Sequence, residues 1–370
     1  MIPVYRPYFT GREKEYVNDC LESTWISSRG TYIDRFEKCF AEYTGIAHAT
    51  SVSNGTVALH LALLSLGIGP GDEVILPTLT YVASANMIVQ AGATPVFVDS
   101  LQDTWQINPA AIEKAITPRT KAVMVVHLYG GACDMARILE ICRAHNLLLV
   151  EDCAEAFGTK YDGRHVGTFG QISTFSFFGN KTITTGEGGM VASNDPALME
   201  TAFLLKTQGV SAHREYWHEV IGYNYRMTNI CAAIGTAQLE HASIILEKKR
   251  QVANWYDQHL KQLPIQRQMA CEKTEHSWWM YSILVESEQR RDDLRNHLRA
   301  AGIETRPLFP SVHHLPPYKT GTELLVAEKL SGRGVTLPSY PDLLEDDVIL
   351  ISKVIGNFLS GREDRVALRI

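Results

Sequence analysis

Between residues 48 and 195, short and nearly continuous apolar runs alternate with longer stretches whose apolar positions recur every three or four residues. The runs HATSV (48–52), EVILP (73–77), PVFVD (95–99), KAVMVVHLY (121–129), LLLVED (147–152), TFSFF (174–178) and GGMVAS (188–193) predict strands. TVALHLALLSLG (56–67) and MARILEICRAHN (135–146) predict helices between them. Strands apolar at successive positions must be covered on both faces, which is the signature of a mostly parallel sheet wrapped by helices, an α/β fold. After about residue 239 the pattern changes. A long amphipathic period at 243–264 leads to a strand pattern at 281–287, a helix at 290–302 and a proline-rich stretch at 306–318. The chain therefore divides into a large α/β part over 1–240 and a smaller α+β part over 241–370. GREDRVALRI (361–370) reads as a tail.

Composition supports this division without adding chemistry. A chain of 370 residues with 45% hydrophobic and 21% charged content is globular and exceeds what one core usually supports. A net charge of −6 disfavours a nucleic-acid partner. The densest basic run, Lys248-Lys249-Arg250, falls in the long helical period and reads as a solvated face. Seven dispersed cysteines without a C-x-x-C pair fit a reducing compartment. The opening residues carry no secretory pattern and no apolar stretch reaches membrane-spanning length, so the expectation is a cytoplasmic protein with no membrane partner.

Candidate chemistry starts with FSFFGNKTITTGEGGM (175–190), where Lys181 follows an apolar run. A P-loop needs glycine directly before the lysine, and Asn180 stands there instead. The glycines of GIGPGDE (67–73) follow a helix and precede a strand, the reverse of the dinucleotide-binding order. His213 and His218 lack zinc-helix spacing, and His313 and His314, taken as extended chain, would point opposite ways. There is no G-x-S-x-G elbow. In LLLVEDCAEAFG (147–158), Glu151 and Asp152 stand at the carboxyl end of a strand, either as ligands or as a helix cap. In SVSNGTVALHLAL (51–63), the turn into the helix suits an anion, or simply an N-cap by Asn54 or Thr56. Together with Tyr81 after the strand at 73–77, these elements match the needs of pyridoxal phosphate. That group requires a nest for its phosphate, a flat partner for its ring, a carboxylate for its ring nitrogen and a lysine for its aldehyde.

The runs SNGTVALHLAL, GDEVILPTLTYVAS, EDCAEAFG, FSFFGNKTITTGEGGMV and GYNYRMTNICAAIGTAQLE, in this order and spacing, resemble the DegT/DnrJ/StrS sugar aminotransferases. The resemblance implies the aspartate-aminotransferase-type fold, pyridoxal 5'-phosphate as cofactor, and Lys181 as the lysine that holds it. It implies Asp152 at the ring nitrogen, Tyr81 on the ring, Gly55, Thr56 and Ser176 at the phosphate, and Glu155 near the phenolic oxygen. It further implies a homodimer in which Asn224 reaches the neighbouring subunit's phosphate site, and His313 near the substrate sugar. Pro310-Ser311 departs from the family's usual Tyr-Pro before that histidine. The implied reaction moves the amino group of glutamate to C4 of a nucleotide-linked 4-keto-6-deoxy sugar for O-antigen biosynthesis. GDP-4-keto-6-deoxymannose is the expected substrate, with the dTDP-4-keto-6-deoxyglucose counterpart as the alternative. A non-catalytic regulator would have no need of a Lys181/Asp152 pair. Burial against Phe177 and Phe178 is expected to lower the Lys181 pKa.

Overall fold

A computed structural model describes residues 1–319 and 321–361. The tail at 362–370 lies outside the described residues. Seven strands form one sheet in the order 48–52, 189–193, 172–176, 148–152, 120–126, 73–77, 94–98. Only Gly189–Ser193 runs against the rest; the other six point the same way. The predicted strands are all present. Their ends shift by up to three residues, most at the strand predicted for 121–129, which spans Thr120–Val126.

Alternation along the strands builds a core on each face. Ile75, Val123, Val125, Leu149, Phe175 and Met190 face one side, packed by helices Thr31–Thr44, Met135–Ala144 and Asn229–Glu240. Val74, Leu76, Ala122, Met124, Val150 and Val191 face the other, under helices Gly55–Ser65, Ala83–Gln90 and Pro196–Lys206. Gly55–Ser65 is apolar almost all round because it is enclosed, with Ala58 through Leu63 buried.

A four-stranded antiparallel sheet joins Gln266–Arg267, Tyr281–Leu284, Gly334–Leu337 and Arg306–Pro307. Helices Ala242–His259, Glu288–Ala300 and Glu345–Ser360 cover it around Val252, Tyr256, Ile283, Leu294 and Ile351. Ile2 and Tyr5 pack on this second core, and Ile2 bridges Ile303, so the chain's first residues belong with its last third. One member of the basic run is not solvated: Lys248 and Arg250 keep some exposure, but Lys249 is enclosed. Lys249 is 1% exposed and donates from Nζ to the carbonyls of Trp279 (2.8 Å) and Ser339. Burial pulls its pKa down to about 7.

Candidate active site

Strand parity separates the two acids at the end of Leu148–Asp152. Glu151 shares the face of Leu149. Its carboxylate accepts the amides of Gly167, Phe169 and Gly170 at 2.6–2.7 Å, and His127 Nε2 lies 3.1 Å away. The Cys133 amide donates to His127 Nδ1 (3.2 Å), so Nε2 carries the proton and donates to Glu151. Glu151 is thus a loop anchor. Asp152 shares the face of Val150, beneath helix Ala83–Gln90, and is 4% exposed. It accepts Ser84 Oγ at 2.8 Å and the Ala154 amide at 3.0 Å. Burial raises its pKa against these two hydrogen bonds. A buried carboxylate with only uncharged donors in contact favours a cation beside it, which is what a protonated ring nitrogen supplies.

Ser176 has the parity of Ile172 and Thr174, and so opens on the same face as Asp152. Helix Gly55–Ser65 starts against it. A Cβ on Gly55 would lie 2.7 Å from Ser176 Cβ, so only glycine lets the helix start come this close. Asn54 is the N-cap, its side chain accepting the Val57 amide (3.0 Å) while its carbonyl takes that of Ala58 (3.2 Å). The amides of Gly55 and Thr56 come before the first intrahelical bond, at the positive end of the helix dipole, and suit a phosphate. Capping and anion binding therefore coexist at this turn.

Lys181 lies in the turn after the strand Ile172–Ser176, its amide bonded to the Phe178 carbonyl (2.9 Å). Burial lowers the pKa of its amine, and the charges of Glu155 and Asp152 partly restore it. The aromatic neighbours are not the pair expected. Phe177 is fully buried against Phe36 and Phe40 on the opposite face, and Phe178 is half exposed. The amine instead stands 3.9 Å over the ring of Trp279, from the segment before Tyr281–Leu284. Glu155 is buried, accepts the Tyr129 amide (2.8 Å), and is pushed up to about 7 by burial. Tyr129 takes a left-handed backbone (φ 57°) to present that amide, and its hydroxyl accepts the Phe309 amide at 3.1 Å.

Tyr81 is 58% exposed, tilted 58° to Phe309 at 5.7 Å, with a face free to stack. Asn224 is exposed, its side-chain oxygen accepting Arg226 Nε at 3.0 Å. His313 departs from expectation. It sits in a 3-10 turn, Val312–His314, rather than in extended chain, and its ring lies 4.2 Å from that of His314. Both converge on Glu328, at 3.2 and 3.5 Å. His313 has no exposed surface, and its Nδ1 pairs with Thr78 Oγ1 at 2.6 Å. Through Thr78 it holds the 310–314 loop onto the turn between strand Glu73–Pro77 and Tyr81. Ser84, Tyr129 and Trp279 escaped the sequence reading. The only advance signal was the aromatic pair Trp278-Trp279 ahead of a strand.

A model of the DegT/DnrJ/EryC1/StrS aminotransferase family matches residues 7–356. The chain belongs to this family. Among similar proteins of the family, a GDP-perosamine synthase from Escherichia coli O157:H7 is 56% identical over 98% of this chain and 99% of its own length. A GDP-perosamine synthase from Vibrio cholerae is 51% identical over 97% and 100%. The solved structure of Spr1654 from Streptococcus pneumoniae, in its PLP-form, superimposes with a TM-score of 0.92 at 29% identity, over 97% of this chain and 99% of that one. The fold is thus that of the DegT-family aminotransferases.

Proposed function

We propose that this chain is a pyridoxal-phosphate-dependent sugar aminotransferase that carries the amino group of glutamate to C4 of GDP-4-keto-6-deoxymannose, forming GDP-perosamine. The observation that carries the reading is the shared face of Asp152, Ser176 and the Gly55 helix start, next to a lysine of lowered pKa. End-to-end likeness to two GDP-perosamine synthases supports the choice of sugar. Pyridoxal phosphate, when bound, supplies an aldehyde that captures amines covalently and a ring that takes up electron density from the carbon losing its proton.

This chain's residues do the rest. Asp152 would keep the ring nitrogen protonated, its carboxylate fixed by Ser84 and the Ala154 amide. The Gly55 and Thr56 amides and the Ser176 hydroxyl would hold the phosphate, and the Tyr81 ring would cover one face. Glu155 would serve the phenolic oxygen. Lys181 would hold the aldehyde at rest. Once displaced, its amine takes the proton from Cα of the donor as a neutral base, which its depressed pKa makes available nearer neutrality. In the second half-reaction it returns a proton on the way to the amino sugar. The working unit is a homodimer in which Asn224 completes the partner's phosphate site, with residues 1–240 as the cofactor-binding part and 241–370 as a smaller part. It acts in the cytoplasm, in keeping with seven cysteines all free. No helix among the described residues is long and apolar enough to cross a membrane.

The test supplies the purified chain with pyridoxal phosphate, glutamate and either GDP-4-keto-6-deoxymannose or dTDP-4-keto-6-deoxyglucose, and follows 2-oxoglutarate and the amino sugar. Turnover with the GDP sugar, and its loss in Lys181→Ala together with the visible absorbance of the lysine–cofactor linkage, is expected. Faster turnover of the dTDP sugar would overturn the substrate assignment. Retained absorbance in Lys181→Ala would overturn that of the lysine.

A further inference from the structure

Trp279 lies far from Lys181 in sequence, yet its indole is the group over which the Lys181 amine stands, at 3.9 Å. The residue is held through both its ring and its backbone. Its Nε1 donates to the carbonyl of Asn180 at 2.7 Å, the residue directly before the lysine. Its own carbonyl accepts Nζ of the buried Lys249 at 2.8 Å, from helix Ala242–His259. The same Lys249 amine lies 5.2 Å over the ring of Tyr5, whose hydroxyl donates to the Lys181 carbonyl at 2.7 Å. Tyr129 lies nearly parallel to the indole, at 6.1 Å and 16°. Gly130 admits the segment: at φ 98°, a Cβ there would fall 2.7 Å from the Trp279 amide nitrogen. The long helix, the N-terminal strap and the turn before Tyr281–Leu284 thus converge on one ring and one lysine.

We infer that Trp279 is a positioning residue whose indole face seats the Lys181 ammonium whenever that amine is not covalently engaged. The inference rests on the reading of Lys181 as the cofactor-holding amine. An ammonium held partly out of water gains from a fixed aromatic face, which forms no competing covalent or tight ionic bond. The other charged and titratable groups around the amine are Asp152 from strand Leu148–Asp152, Glu155 from the turn after it, Tyr5 and Tyr129, with Lys249 beyond the indole. The two acids attract the amine by charge. The indole offers it a seat within reach of the turn it came from. Through this residue the small sheet takes part in the site.

The test uses the cofactor-free full-length chain. Limiting acetic anhydride labels amines across a pH series, and peptide mass spectrometry gives the midpoint for Lys181, normalised to Lys38. Trp279→Leu keeps the site apolar and removes the π face, so the protonated amine loses its partner and the midpoint falls by about one pH unit. Trp279→Phe keeps a weaker face and lowers it by less than half as much. A midpoint unmoved or raised in the variants that keep the wild-type circular dichroism overturns the proposal; the Phe variant carries the test alone if the Leu variant does not fold. Borohydride reduction of the loaded wild-type chain, followed by peptide mapping, checks the underlying reading separately. Cofactor mass on a lysine other than Lys181 overturns both.

Discussion

The Glu155 carboxyl has the Tyr129 amide as its hydrogen-bond donor, and burial raises its pKa from 4.5 to about 7 despite the nearby Lys181 charge. In the unfolded chain that proton leaves near 4.5, whereas the native state keeps it until about 7. Between those values the folded chain binds more protons, so this residue's contribution is fully present below 4.5 and is lost as pH rises through 7. The loss is on the order of 3 kcal/mol, from a shift of roughly two and a half units. Glu155→Gln removes the titration while leaving an acceptor for the Tyr129 amide. Urea midpoints of the cofactor-free chain at pH 4.5, 6 and 8 should show wild-type stability declining across this window relative to the variant. Parallel curves would place the Glu155 proton elsewhere.

At the scale of elements, the contact between the start of helix Gly55–Ser65 and the end of strand Ile172–Ser176 sets where a phosphate can sit. Gly55→Ala puts a methyl 2.7 Å from Ser176 Cβ and 3.3 Å from its Cα, so helix and strand must part. Overpacking of this kind costs about 1–3 kcal/mol. Pyridoxal phosphate affinity should fall at least about tenfold, the equivalent of roughly 1.4 kcal/mol. Adding Ser176→Gly removes both Cβ and Oγ from the clash. Urea melts of the double variant should recover most of the lost stability while cofactor titration stays weak, separating packing from phosphate contact. Recovery of both would deny the Ser176 hydroxyl its role. These elements were legible because enclosed strands are written as unbroken Val, Ile and Leu runs and because an Asx-Gly turn precedes an apolar helix. What stayed hidden has local causes that residue types do not carry. Strand Thr120–Val126 gives way to a 3-10 turn, Leu128–Gly130, in which Tyr129 takes a left-handed backbone that its sequence does not announce. His313 and His314 converge because the chain after Pro310 closes into a 3-10 turn. Adjacency points to the phenylalanines as partners of Lys181, but parity sends Phe177 to the opposite face, and Trp279 arrives only through tertiary packing. A charge in an amphipathic period such as that of Lys249 nearly always faces water; here two backbone carbonyls hold its amine.

At the scale of the molecule, the proposed shared-site dimer needs apolar surface to bury, and the stretch before Asn224 exposes some. Phe203, Tyr216 and Ile221 are 57%, 95% and 92% exposed, and Phe203 lines a groove of about 1260 Å³ with Arg29, Glu37, Lys206 and Arg226. Asn224 follows this stretch, and its neighbour Tyr225 accepts the Ser53 amide at 2.8 Å, so the segment lies beside the helix start of its own chain. Two arrangements follow: Asn224 serves the phosphate site of its own chain, or it crosses a two-fold interface to serve the partner's. Complementation separates them. Lys181→Ala and Asn224→Ala chains, each inactive or weakened alone, are refolded together. If sites are shared, every mixed dimer regains one site with Lys181 from one chain and Asn224 from the other, so random mixing restores roughly a quarter of wild-type activity per chain. If Asn224 serves its own chain, each mixed dimer holds one site lacking Lys181 and one lacking Asn224. The mixture then shows no more than the average of the two variants, and the shared-site dimer is overturned.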